Sequence, residues 1–194
     1  MTIPIIKRVT KENFDSLVSL LVLSFATDPV ARWMYPSAQK YLDNFPDFVR
    51  TFANKAFDFE TVYSLDDYLG VAIWFPPNTQ PDSDAVVAFI QQTVSPQQQE
   101  EIFAMFGDME RYHPNEPYWY LAVLGVDPFH QKKGYGAALL NHQLSLCDRN
   151  QEIAYLESST LQQVSFYEKY GFQCIGTIQA GKSPTIFPMV RHPQ

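Results

Sequence analysis

An α/β domain with a mixed sheet is predicted by three observations. Strand-like and helix-like apolar patterns alternate along the chain, and no internal repeat or low-complexity linker interrupts them. A continuous apolar run over 118–126 suits a strand in the middle of a sheet. A basic, glycine-containing loop then joins that run to an amphipathic helix.

The elements follow in order. Residues 2–9 read as a first strand, followed by a helix in which Phe14, Leu17, Val18, Leu21 and Phe25 recur at three- and four-residue spacing, with Thr10 as its expected cap. Asp28-Pro29 and Tyr35-Pro36 break the chain before a helical pattern over 38–55. Residues 61–65 and 69–75 read as a hairpin around Asp66-Asp67, ended by Pro76-Pro77-Asn78. Helices are expected over 83–93 and 96–109, as a helical insertion of about 81–112 on the surface of a single domain, 1–194. After the strand and loop, a helix over 136–149 carries Leu139, Leu140, Gln143, Leu144 and Cys147 on one side. A strand over 153–157, a helix over 161–170 stopped by Gly171, and closing strands over 173–178 and 185–190 complete the sheet.

Composition sets limits. A chain of 194 residues with 46% hydrophobic and 15% aromatic residues is long and apolar enough to bury a real core. A net charge of −7 argues against a nucleic-acid surface, which requires clustered basic residues. Two cysteines, Cys147 and Cys174, are too few for a disulfide framework and lack metal-ligand spacing, so a reduced, cytoplasmic protein without a metal is expected. The apolar run over 17–26 is too short to cross a bilayer, and no membrane association is expected. Charge is uneven. Residues 1–110 carry 15 acidic against 7 basic side chains, and the acids of 82–110 have no basic neighbour in that stretch. They form either a solvated helical face or a field that attracts a cationic amine.

The loop carries the chemistry. Gln131-x-x-Gly134-x-Gly136 follows a strand and opens a helix, so the glycines let backbone approach an anion and the first helical N–H groups lack intrahelical partners. Lys132 and Lys133 add positive charge there. A dinucleotide fingerprint would need glycine where Leu139 stands, and a nucleoside-triphosphate loop would need Gly-Lys-Ser or Gly-Lys-Thr.

The span from Leu124 to Ala137, together with Phe166-Tyr167-Glu168-Lys169-Tyr170-Gly171-Phe172 about 30 residues later, resembles the GNAT superfamily of acetyl-CoA-dependent N-acetyltransferases. Residues 25–33 are similar to the first helical region of its puromycin-acetyltransferase-like members. The resemblance implies a mixed, mostly antiparallel central sheet flanked by helices, with a CoA-binding core of about 118–172. It implies acetyl-CoA as co-substrate, its pyrophosphate over Gln131, Lys132, Lys133, Gly134, Tyr135, Gly136 and Ala137. Leu124, Gly125 and Val126 would present backbone groups to the pantetheine arm, as a further strand would, and donors to the thioester carbonyl. Many members carry asparagine seven residues before the catalytic tyrosine; here Thr160 occupies that position, and a hydroxyl does not copy an amide's paired geometry.

Transfer by direct attack in a ternary complex needs a neutral amine and a proton for the departing thiolate. Spacing alone leaves Tyr167 either a packed aromatic or a proton donor, and the family match favours the donor. Glu157 is the candidate base, with Asp28, Glu60 and Glu116 as alternatives. His113, His130, His142 and His192 lack metal or triad spacing and read as surface or loop residues; Cys147 reads as core. Phe25, Trp33, Tyr35, Trp74 and Phe75 either pack in the core or line an acceptor pocket for a hydrophobic amine. The acceptor is expected to be the primary amine of a small molecule or peptide. A non-catalytic acyl-CoA-binding sensor is the other function class, and a homodimer is left open, because sequence does not separate exposed apolar residues from core ones.

Overall fold

The computed structural model describes residues 5–194. Its strands are β1 (Ile6–Arg8), β2 (Val62–Leu65), β3 (Gly70–Phe75), β4 (Tyr118–Val126), β5 (Ile153–Ser158), β6 (Gln173–Cys174) and β7 (Phe187–Arg191). They form one sheet in the order β1-β2-β3-β4-β5-β7-β6. Every neighbouring pair is antiparallel except β4 with β5. That parallel pair is joined by helix α6 (Tyr135–Asn150), the long crossover that parallel strands require. The remaining helices are α1 (Phe14–Ser24), α2 (Pro29–Met34), α3 (Ala38–Ala53), α4 (Ser83–Thr93), α5 (Pro96–Glu110) and α7 (Leu161–Glu168).

Period-2 alternation sorts the sheet's side chains onto two covered faces. Val71, Ile73 and Phe75 of β3 join the cluster of helices α1 to α5, while Ala72 and Trp74 join that of α6 and α7. All six residues of β3 are therefore buried, as befits an interior strand with helices on both sides. Tyr155 of β5 faces the α1–α5 layer and Leu156 the α6–α7 layer.

Two local expectations are corrected. Asp28-Pro29 starts a helix rather than breaking the chain: Asp28 Oδ1 accepts from the Val30 and Ala31 amides at 2.9 and 3.0 Å, and Pro29 occupies the first helical position, where its missing N–H is harmless. Thr10 does not cap α1, because a 3₁₀ turn over Lys11–Asn13 intervenes and its hydroxyl turns to Glu12 and Asn13. The strand expected over 2–9 begins outside the described residues, and within them it is three residues long. The closing pair shrinks to two residues of β6 plus an isolated bridge between Ile178 and Ile186.

Candidate active site

The site begins where β4 and β5 part. β4 pairs with the whole of β3, from Gly70 with Val126 to Phe75 with Tyr120, but its ladder with β5 ends at Tyr120 and Tyr155. Beyond that point Leu156, Glu157 and Ser158 pair only with β7. At the divergence the register against β3 slips between Ile73 and Trp74, leaving Ala122 as an extra residue. Such a bulge bends its strand, and here Ala122 and Val123 both turn to the α1–α5 layer.

A groove of about 820 Å³ opens from this gap over the loop and the start of α6. Of the nominated cofactor residues, Leu124, Gly125, Val126, Gln131, Lys132, Gly134, Tyr135, Gly136, Ala137 and Thr160 line it, and Lys133 is not among its lining residues. Gly134 is the N-cap of α6 at φ 84°, without a side-chain cap for the helix's first amides. A side chain there would meet open space, so backbone conformation requires this glycine. Gly125 has a different reason: a Cβ would lie 2.7 Å from both Leu21 Cδ2 and Ser24 Oγ, so α1 approaches β4 only at glycine. Thr160 caps α7, its Oγ1 accepting from the Gln163 amide at 3.2 Å.

On the other side of the gap lies a pocket of about 200 Å³ with mostly apolar walls. Phe45, Phe48 and Phe52 of α3 and Met105, Phe106 and Met109 of α5 line it, with Asp28, Tyr120, Glu157, Ser159, Gln163 and Tyr167 as polar members. Groove and pocket share Phe25, Asp28, Leu124, Gln163 and Tyr167. Tyr167 packs in the α6–α7 cluster yet lines the pocket on the opposite side of the sheet, so it crosses at the gap. Burial alone pushes its phenol well above the usual tyrosine value, which keeps the proton on oxygen.

Glu157, whose side chain is 5% exposed, has its Oε1 3.1 Å from His113 Nε2, and His113 Nδ1 is 3.0 Å from the Tyr118 hydroxyl. Burial first, then the adjacent Glu157 carboxylate, pushes the Tyr118 phenol up to about 12 and raises those of Tyr120 and Tyr155. Asp28 is engaged elsewhere: besides capping α2, its Oδ2 accepts from Ser159 Oγ at 2.5 Å. Glu60 is exposed and pairs with Arg8, and Glu116 is exposed, so neither lines the pocket.

Several nominated aromatics lie elsewhere. Only Phe25 lines the pocket; Tyr35, Trp74 and Phe75 are fully buried, and Trp33 packs against the core. None of the acids of 82–110 lines it either: Asp82 caps α4, Asp108 pairs with Arg111, and Glu101 accepts from the Lys182 amide. Sequence reasoning missed His113, which has no local signal because its partner is 44 residues away. The α3 phenylalanines did carry a signal, the spacing i, i+3, i+7 of one helical face, which is equally the signature of core. Cys147 is buried, and burial pushes its thiol up to about 12, which does not suit a nucleophile.

Residues 83–192 match the family model described as the acetyltransferase (GNAT) domain. An uncharacterized N-acetyltransferase of Schizosaccharomyces pombe is 23% identical over 206 positions, spanning 97% of this chain and 83% of its own length. A solved structure described as histone acetyltransferase HPA2 and related acetyltransferase, from Corynebacterium glutamicum, aligns at 22% identity with a TM-score of 0.75 over 100% of this chain and 98% of that one. A Drosophila melanogaster polyamine N-acetyltransferase that forms N-acetylagmatine aligns at 12% identity and a TM-score of 0.66, over 97% and 99% of the two chains. These two structural likenesses show the shared fold.

Proposed function

This chain belongs to the GNAT acetyltransferase family and is an acyl-transferring enzyme, and we propose that it moves an acetyl group from acetyl-CoA to the primary amine of a small, largely apolar molecule by direct attack in a ternary complex. The observation that carries this reading is the meeting of a polar groove and an apolar pocket on Tyr167, Asp28 and Leu124.

Acetyl-CoA occupies the groove, with its pyrophosphate at the uncapped start of α6 and Lys132, and its amide-bearing arm along residues 124–126. The acceptor's body lies among Phe45, Phe48, Phe52 and Phe106, and its ammonium is drawn to the nearly buried Glu157 carboxylate. Glu157 takes one ammonium proton. The neutral nitrogen then attacks the thioester carbon, the C–N bond forms, and the C–S electron pair leaves on sulfur. Tyr167 gives its phenolic proton to that sulfur and is reprotonated from solvent, while the nitrogen's remaining extra proton and the one held by Glu157 pass to solvent. Acid–base assistance of this kind contributes on the order of 10² to 10⁴ in rate.

A cavity of about 150 Å³ accommodates benzene, so a pocket of about 200 Å³ suits one aromatic ring on a short alkyl chain. A polyamine, the acceptor class of the Drosophila relative, would place several charges against apolar walls. Thiol release from acetyl-CoA should therefore be fastest with single-ring arylalkylamines and slow with agmatine, spermidine or peptides. Turnover confined to polyamines or peptides would overturn the acceptor class. Absence of amine-dependent turnover beside tight CoA binding would favour the acyl-CoA sensor instead.

A further inference from the structure

We propose that His113 is a positioning residue for the transfer reaction: held by Tyr118, it donates Nε2–H to Glu157 and keeps that carboxylate oriented toward the acceptor. The proposal rests on the reading of Glu157 as the base.

The tautomer follows from the two partners. A carboxylate oxygen accepts, so Nε2 of a neutral His113 ring is the protonated nitrogen, and Nδ1 accepts from the Tyr118 hydroxyl 3.0 Å away. Nε2 then carries the ring hydrogen and donates to Glu157 Oε1 at 3.1 Å. The opposite tautomer would set a nitrogen lone pair against a carboxylate oxygen. The ring is also clamped sterically: Tyr155 and Tyr118 lie edge-on at 4.9 and 5.7 Å, and Tyr120 lies tilted at 6.0 Å, between ring centroids. Its backbone is fixed by the turn that ends α5, where the His113 amide bonds the Glu110 carbonyl.

The chemical need is specific. A general base must set one oxygen within hydrogen-bond reach of the proton it takes, and a carboxylate 5% exposed at the edge of an apolar pocket has little water to fix its rotation. A hydrogen bond donated to Oε1 fixes it and leaves Oε2 for the acceptor. Around Glu157 the titratable groups are Tyr118 and Tyr120 on β4, Tyr155 on β5, Asp28 before α2, Tyr167 on α7, and Tyr112 and His113 between α5 and β4; α3 and α5 present no charge to the pocket. Of the links recorded among these groups, the one from His113 brings a nitrogen donor to Glu157.

The experiment measures kcat and KM for an arylalkylamine and for acetyl-CoA in wild type, His113→Leu, His113→Gln, Tyr118→Phe and Glu157→Gln, with CoA affinity and circular dichroism as folding controls. His113→Leu should lower kcat about tenfold and leave KM for acetyl-CoA constant. His113→Gln keeps an N–H donor and should restore most of kcat; Tyr118→Phe should lower it by less than His113→Leu. A loss that His113→Gln does not recover, or that falls equally on CoA affinity, would make His113 merely structural and overturn the proposal. If His113→Leu does not fold, a folded His113→Gln variant as slow as Glu157→Gln overturns it equally. Full activity in Glu157→Gln would instead overturn the base assignment itself, a separately recognisable failure.

Discussion

The groove and the pocket meet on shared residues but are built from different material. The groove draws on backbone: the edge of β4, a loop with Lys132 and Gly134 at positive φ, and the bare start of α6. The pocket draws on side chains from α1, α2, α3, α5, β4, β5 and α7. Backbone recognition tolerates exchange of the side chains around it, whereas a side-chain wall changes with every substitution. A common donor in the groove and a particular acceptor in the pocket is the division of labour this difference supports.

The strongest test strikes the shared tyrosine. Tyr167→Phe should lower kcat by about 10² to 10⁴ while calorimetric CoA affinity stays constant. Loss of less than tenfold would return Tyr167 to a packing role. Because burial raises its phenol, the acid form persists as pH rises past the ordinary tyrosine value near 10, and activity is lost only as pH climbs through the raised one. The profile of kcat should accordingly show no basic limb from this group below about pH 10.

Substitutions on either side should separate the regions. Phe48→Ala or Phe106→Ala should raise KM for an arylalkylamine about 10- to 100-fold, from roughly 1.5 to 3 kcal/mol of lost aromatic burial, and leave KM for acetyl-CoA alone. Gly134→Val should do the reverse. It meets no neighbour but forces a β-branched residue to φ 84°, at a cost of about 1–2 kcal/mol, which displaces the loop and raises KM for acetyl-CoA about tenfold. Equal effects on both substrates from either variant would abolish the distinction. The smallest effect falls on the seam: Asp28→Ala should lower folding stability by about 1 kcal/mol through the lost cap of α2, and Asp28→Asn should retain most of it, as denaturant melts would show.

Most of the groove was legible because its parts are close in sequence. Strand, turn, glycines and helix start occupy consecutive residues, and each reports a local backbone need. The reason for Gly125 was not legible, since the constraint comes from Leu21 and Ser24 on a distant helix. In the pocket, Phe25 and Glu157 could be nominated, but Tyr35, Trp74 and Phe75 went to the core because β3 is covered on both faces. Their place is taken by Phe45, Phe48, Phe52 and Phe106, which by spacing alone are indistinguishable from core.

By itself, then, the sequence determined the alternation of elements, the anion-ready loop and the tyrosine that follows it, because periodicity, glycine conformation and helix ends act over a few residues. Tertiary structure alone decided that β4 leaves β5 after Tyr120, that Tyr167 reaches through the opening, and that His113 touches Glu157. Those facts depend on packing between segments tens of residues apart, and packing is a property of the assembled layers rather than of any one stretch of chain.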